Sequence, residues 1–215
     1  MPRVPIAALL LFALAACTRV DSTGAGAAGA RHPWTIPGTL RVVSGNVPRT
    51  LNPILATQTV EAALARLTTD VLVSADPHGN LVPRLAREVP TTANGGISRD
   101  GLTITYHLRP GVRWHDGAPF TSRDVAFSYD AIVNPRNDVI SRHGYDEVAR
   151  VDTPDPLTVV FHLKERFAPF VAVVFGESDS TYGILPAHLL ARYRSLNDVP
   201  YNSAPVGTGP FKFVR

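Results

Sequence analysis

LTITYHLRPGVRWHDGAPFTSRDVAFSY, residues 102–129, holds a strand, two turns and a capped helix in one run. Leu102, Ile104, Tyr106 and Leu108 alternate with Thr103, Thr105 and His107, the period of a strand with one buried face. Arg109-Pro110-Gly111 turns the chain, and Asp116-Gly117 is a second turn signal. Thr121 reads as a helix N-cap, with Asp124 in the first turn after it. Val125, Tyr129 and Ile132 carry the helix and Phe127 flanks it. It stops before Asn134-Pro135, because the residue preceding a proline avoids helical backbone. Trp114 and Phe120 flank the Asp116-Gly117 turn. Two large apolar rings at that place predict a pin between turn and helix rather than a ligand contact.

Outward from this run the same signals recur. Thr39 to Ser44 alternates as a strand, and Val47 to Pro53 is turn-rich. Val60, Ala63, Leu64, Leu67 and Val71 fall at helical spacing, which predicts a helix over 59–73 broken by Ala75 to Asn80. Asp152-Thr153-Pro154-Asp155-Pro156 reads as a turn leading into an alternating strand, Leu157 to Leu163. Ala168 to Phe175 is a short apolar, helical segment. Pro186 stands at a first helical position, with the helix continuing from Ala187 to Tyr193. Gly207-Thr208-Gly209-Pro210 is a rigid turn, and Phe211 to Val214 begins a strand. The chain stops inside that strand, so the reading is a fragment of a longer protein with an open edge.

The other end carries a different message. After Met1-Pro2-Arg3 the chain runs without charge from Val4 to Ala16. One basic residue before a short apolar core is the pattern of a secretory signal peptide. The core is shorter than the ~20 residues a membrane-spanning helix needs. Leu14-Ala15-Ala16-Cys17 places small residues before a cleavage point and resembles a bacterial lipobox, in which the cysteine is acylated. Cys17 is the only cysteine, so it has no disulfide partner. Gly24 to Ala30 has nothing to bury and no periodicity. Residues 1–16 therefore read as a signal peptide, and 17–38 as a lipidated cysteine with a flexible tether. The expectation is an exported protein, lipid-anchored at the cell membrane and facing the periplasm or the extracellular side. Thr18, where many inner-membrane lipoproteins of Gram-negative bacteria carry Asp, leaves open which membrane holds it.

Hydrophobic content of 45% against 18% charged residues describes a globular chain. The net charge of +3 is spread without a basic block, which argues against nucleic acid as a partner. No His-x-x-x-His, His-Glu-x-x-His or Gly-x-Ser-x-Gly occurs, and Gly207-Thr208-Gly209 lacks the third glycine and the helix of a dinucleotide loop. The expectation is a protein without catalytic residues, metal site or cofactor.

Residues 102–129 closely resemble the signature of the family 5 extracellular solute-binding proteins. These are the oligopeptide-, dipeptide- and nickel-binding components of ABC importers. Leu51-Asn52-Pro53 is similar to the family's first motif, Leu157 to Leu163 to its second strand, and Pro205 to Phe211 to its return into the large lobe. The resemblance implies an α/β, periplasmic-binding-protein-like type II two-lobed fold (cluster C), incomplete here, which closes on its ligand by hinge motion. It implies that 39–56 begin the large α/β lobe, 57–192 form a smaller α+β subdomain, and 193–215 return, truncated, to the large lobe. The implied function is to capture di- or oligopeptides as a monomer and deliver them to permease subunits. A nickel chelate or another small solute is the alternative, and a secreted hydrolase is an alternative of another class. Much of the ligand site in relatives, including the acidic residue that receives a peptide's amino group, lies beyond residue 215.

Two stretches are implied as local contributors. Thr57-Gln58-Thr59 falls where peptide-binding relatives touch ligand through an extended segment, whose backbone could pair as an added strand does. A plain helix start capped by Thr59 is the other reading. Arg142-His143-Gly144-Tyr145 falls where relatives place an Arg and an aromatic, or a Tyr, toward the cleft. Tyr145 leads this set, since a ring with one hydroxyl suits varied side chains. An ordinary loop is the other reading.

Overall fold

The structure, a computed structural model, describes residue 36 and residues 38–176 and 182–214. The expectations for the signal peptide, for Cys17 and for the tether up to residue 35 lie outside the described residues. The chain divides into two compact units, Met1–Val43 and Ser44–Arg215. In the first, Thr39 N–H donates to the Ile36 carbonyl at 3.1 Å, and Leu40, Val42 and Val43 are exposed. The strand predicted over 39–44 is not formed there. Alternation supplies a face, but a strand also needs a neighbour for its N–H and C=O groups.

The second unit is built on an antiparallel three-stranded sheet whose middle strand is the last of the three in sequence. It follows helix α1 (Thr59–Thr68) and a small hairpin, β1 (Val73–Ala75) with β2 (Leu81–Pro83). The sheet strands are β3 (Thr103–His107), β4 (Val148–Asp155) and β5 (Thr158–Leu163). Ile104 pairs with Phe161 and Tyr106 with Val159, so the alternating residues of both strands share one buried face. Tyr106 meets Phe161 edge-on, with ring centroids 5.9 Å apart. Helix α2 (Ser122–Val133) buries Val125, Ser128 and Ile132, and it ends before Asn134-Pro135 as predicted. Short helices α3 (Phe170–Val173) and α4 (Ala187–Leu190) complete the unit.

The signature run works as a structural pin. Its turn closes with Trp114 N–H on the Ala118 carbonyl at 2.9 Å, and Gly117 takes φ +92°, a left-handed conformation open to glycine. Trp114 and Phe120 are buried, with ring centroids 6.0 Å apart. The Trp114 indole donates to Asp124 Oδ2 at 3.3 Å. Asp124 also accepts the N–H groups of Thr121 at 2.8 Å and Ala187 at 2.9 Å. One carboxylate thus ties turn, helix start and the α4 segment together. Burial raises its pKa above the usual carboxylate value, against the pull of the Thr121, Ala187 and Trp114 donors.

Several elements differ from the sequence expectation. Helix α1 stops at Thr68, not Val73, and Thr69 Oγ1 donates to the Ala65 carbonyl at 2.8 Å. Its buried residues are Glu61 and Ala65, while Leu67 is 43% exposed, so the apolar stripe predicted through Val60, Leu64 and Leu67 is not the face that packs. Most of the turn expected at 152–156 belongs to β4, whose register shifts between Asp152 and Asp155. Pro154 is tolerated because it falls within that register shift on an edge strand, where no ladder pair uses its missing N–H. Helix α4 is shorter than the predicted 187–193, and Pro186 is its N-cap. No strand forms at 211–214: Gly209 N–H donates to Thr68 O at 3.0 Å and Phe211 N–H to Leu67 O at 2.9 Å. The return therefore lies against the end of α1. A Cβ on Gly207 would fall 1.7 Å from Thr68 O, which is why glycine stands there.

Candidate functional site

Glu61 sits in the first turn of α1 and is 1% exposed. A buried carboxylate needs donors. Its Oε2 accepts the N–H of Thr57 at 2.7 Å and of Gln58 at 3.0 Å, and its Oε1 accepts the N–H of Arg49 at 2.8 Å. Burial works to raise its pKa, but the backbone donors of Thr57, Arg49, Gln58 and Thr50 outweigh it and hold the group below the usual value. The helix cap is Gln58, one residue before the expected Thr59.

This carboxylate shapes one wall of an open groove of about 530 Å³. Thr57, Gln58 and Thr59 line that wall with Ala62, Ala63 and Arg66 of α1. Ile140, Ser141 and Tyr182 line the opposite side. The Tyr182 hydroxyl accepts the Ser141 N–H at 3.0 Å and donates to the Ser141 carbonyl at 2.9 Å, fixing that side. Ile140 is 63% exposed and offers an apolar surface. The groove joins hydroxyl and amide groups on one wall to a side chain and a ring on the other. Such a lining suits a ligand with polar links and varied side groups.

The structure brings one predicted stretch to this groove and moves the other behind it. Thr57, Gln58 and Thr59 line it, and they are also the helix start of the competing reading. The N–H groups of Thr57 and Gln58 are taken by Glu61, which removes two donors from any strand-like pairing with a ligand.

Tyr145 corrects the expectation placed on it. It is 1% exposed, and its hydroxyl accepts the Phe175 N–H at 2.9 Å. Its ring packs 5.2 Å from Phe175 and 5.8 Å from Tyr182, so it supports the groove's Tyr182 from within. Arg142 is likewise engaged, donating to the carbonyls of Asn134 at 3.1 Å and Asn137 at 2.9 Å. It fastens the end of α2 to the loop that carries Ile140 and Ser141. His143 is exposed, its ring against Phe167 at 5.4 Å, and it does not line the groove.

Tyr182, Ile140 and Arg66 were missed in the sequence. No local signal marked them, since Ile140 simply follows the apolar Val139 and neither Arg66 nor Tyr182 stands in a spacing that points to a groove. Among the described residues, no group of three His, Cys, Asp or Glu could hold a metal. His188 pairs with Asp116 at 2.7 Å and His162 with Asp152 at 2.9 Å, and neither pair lines the groove.

Residues 80–215 match the family described as bacterial extracellular solute-binding proteins, family 5 Middle. A Brucella ovis protein, provisionally named an ABC transporter peptide-binding protein, is 33% identical over 192 residues, covering 88% of this chain and 34% of its own length. The glutathione-binding protein GsiB of Salmonella paratyphi A is 30% identical over 171 residues, covering 80% of this chain and 31% of its own length. The crystal structure of NikZ from Campylobacter jejuni with Ni(L-His) superposes with a TM-score of 0.68 at 32% identity, over 79% of this chain and 31% of that one. The chain spans about a third of the length of the curated relatives it matches.

Proposed function

Because the chain belongs to the bacterial extracellular solute-binding proteins of family 5, we propose that its protein is the substrate-binding component of an ABC importer. On this reading it captures di- or oligopeptides outside the cytoplasmic membrane and hands them to permease subunits. The groove between Thr57-Gln58-Thr59 and the Ile140–Tyr182 side carries the reading, because it offers polar groups for a peptide backbone and apolar surface for side chains. The peptide- and glutathione-binding names of the Brucella and Salmonella relatives support it. Residues 57–192 then form the smaller subdomain, with 39–56 and 193–215 contributed to the large lobe. Cys17 is the proposed lipid anchor after a signal peptide at 1–16, and the protein acts as an exported monomer. The proposed role is binding, not catalysis.

A thermal-shift and calorimetric screen of the full-length protein against di- to nonapeptides tests this. A ligand at a hundredfold over its Kd stabilises the native state by about 2.7 kcal/mol. Peptide recovered intact from the complex is the expected result, and turnover would favour a hydrolase. The NikZ likeness favours a second reading, a nickel chelate as cargo. A shift with Ni(L-His) and none with any peptide would move the assignment there.

A further inference from the structure

We propose that Glu61 is a positioning residue for the ligand: its buried carboxylate closes both ends of the 49–58 loop and thereby sets the 57–59 wall of the groove. The inference rests on the reading of that groove as the ligand site. Arg49 and Thr57-Gln58, the two ends of the loop, donate their N–H groups to opposite oxygens of the same carboxylate. The middle of the loop is held separately. Asn52 is fully buried, donates through Nδ2 to Asn202 Oδ1 at 2.9 Å, and accepts the Ile54 N–H at 3.2 Å. Leu51 N–H donates to the Asn202 carbonyl at 2.7 Å. The Leu51-Asn52-Pro53 motif is thus an anchor and Glu61 is the clasp.

A helix needs no buried charge at this position to pack, and an alanine or leucine would cost less to bury. The charge is favoured here by backbone N–H groups. What it accomplishes is to hold an extended segment at the groove edge in one conformation. Pre-organisation of this kind improves affinity by removing an ordering cost from the binding step. It also sets the chemistry of the wall. With the Thr57 and Gln58 N–H groups already used, the ligand meets side-chain hydroxyl and amide groups there, and not those two donors.

The test uses the full-length protein and the tightest-binding peptide of the screen. Glu61→Gln keeps the shape but replaces one acceptor oxygen by an NH2 group, which opposes at least one N–H. Its peptide Kd should rise about tenfold, equivalent to about 1.4 kcal/mol. Amide exchange at Thr57 and Gln58 should quicken in the ligand-free protein. Asp124→Asn is the control, since Asp124 holds the equivalent place in α2 and does not line the groove. It should lower Tm and leave the Kd unchanged. Glu61→Asp, which keeps the charge but shortens its reach, should weaken binding to a smaller degree and carries the test if Glu61→Gln does not fold. Wild-type Kd in both Glu61 variants, or a loss no greater than that of Asp124→Asn at equal Tm, overturns the proposal. Unchanged exchange at Thr57 and Gln58 overturns it whatever the ligand. A wild-type protein that binds no peptide overturns the peptide reading alone.

Discussion

Tyr145 illustrates how a residue suited to a ligand is spent on the core. Its hydroxyl satisfies the Phe175 N–H, on a residue whose φ of +51° leaves that group no strand or helix partner. Tyr145→Phe should cost about 1–3 kcal/mol, the penalty for a buried donor left unpaired. Chemical denaturation would measure it, and the peptide Kd should not change. A changed Kd at unchanged stability would return Tyr145 to the site. The carboxylates Glu61 and Asp124 occupy the same helical position but answer pH oppositely. Glu61 lies below its ordinary value of 4.5, so the stability it contributes is present above that value and is lost as pH falls through its folded pKa. Asp124 lies above its ordinary value of 3.8, so stability is lost as pH rises from that value through its folded pKa. Thermal unfolding over about pH 3 to 7 separates them. The deficit of Glu61→Gln should shrink toward acid, and that of Asp124→Asn should grow.

At the scale of elements, the signature run was legible because every signal in it is local. A period-two strand, a turn glycine and a capped helix each follow from neighbours within a few residues. Helix α1 was less legible. Its apolar spacing pointed to one face, but the donors that make Glu61 buriable come from the preceding loop, and the return segment covers its end. That return sets a sharp steric demand at Gly207, which approaches the Thr68 carbonyl directly. Gly207→Ala should destabilise the unit by about 1–3 kcal/mol, the usual cost of overpacking. Exchange at the Gly209 and Phe211 amides, which donate to Thr68 and Leu67, should quicken in step. Protection equal to wild type would show that the return is not held by this contact.

For the whole molecule, the proposed function joins family membership to the lipobox-like Leu14–Cys17, because on that reading a tether would keep the binding protein beside its permease. Cys17→Ser should move the protein from the membrane to the soluble fraction without altering its peptide Kd. Membrane retention of that variant would remove Cys17 as the anchor. Sequence alone determined the pinned turn of 102–129 and the start of α2, because these depend on local periodicity and capping, and the resemblance of that run to the family 5 signature implied the family and the α/β class. It also indicated Thr57-Gln58-Thr59, which line the groove. Only tertiary structure decided the rest. It put Tyr145 and Arg142 into supporting roles, brought Tyr182 and Ser141 across from α1, and left 39–43 and 211–214 without strand pairing. The physical reason is common to all of these. Whether a polar group meets a ligand or a backbone partner depends on what the distant chain places beside it, and no local spacing encodes that.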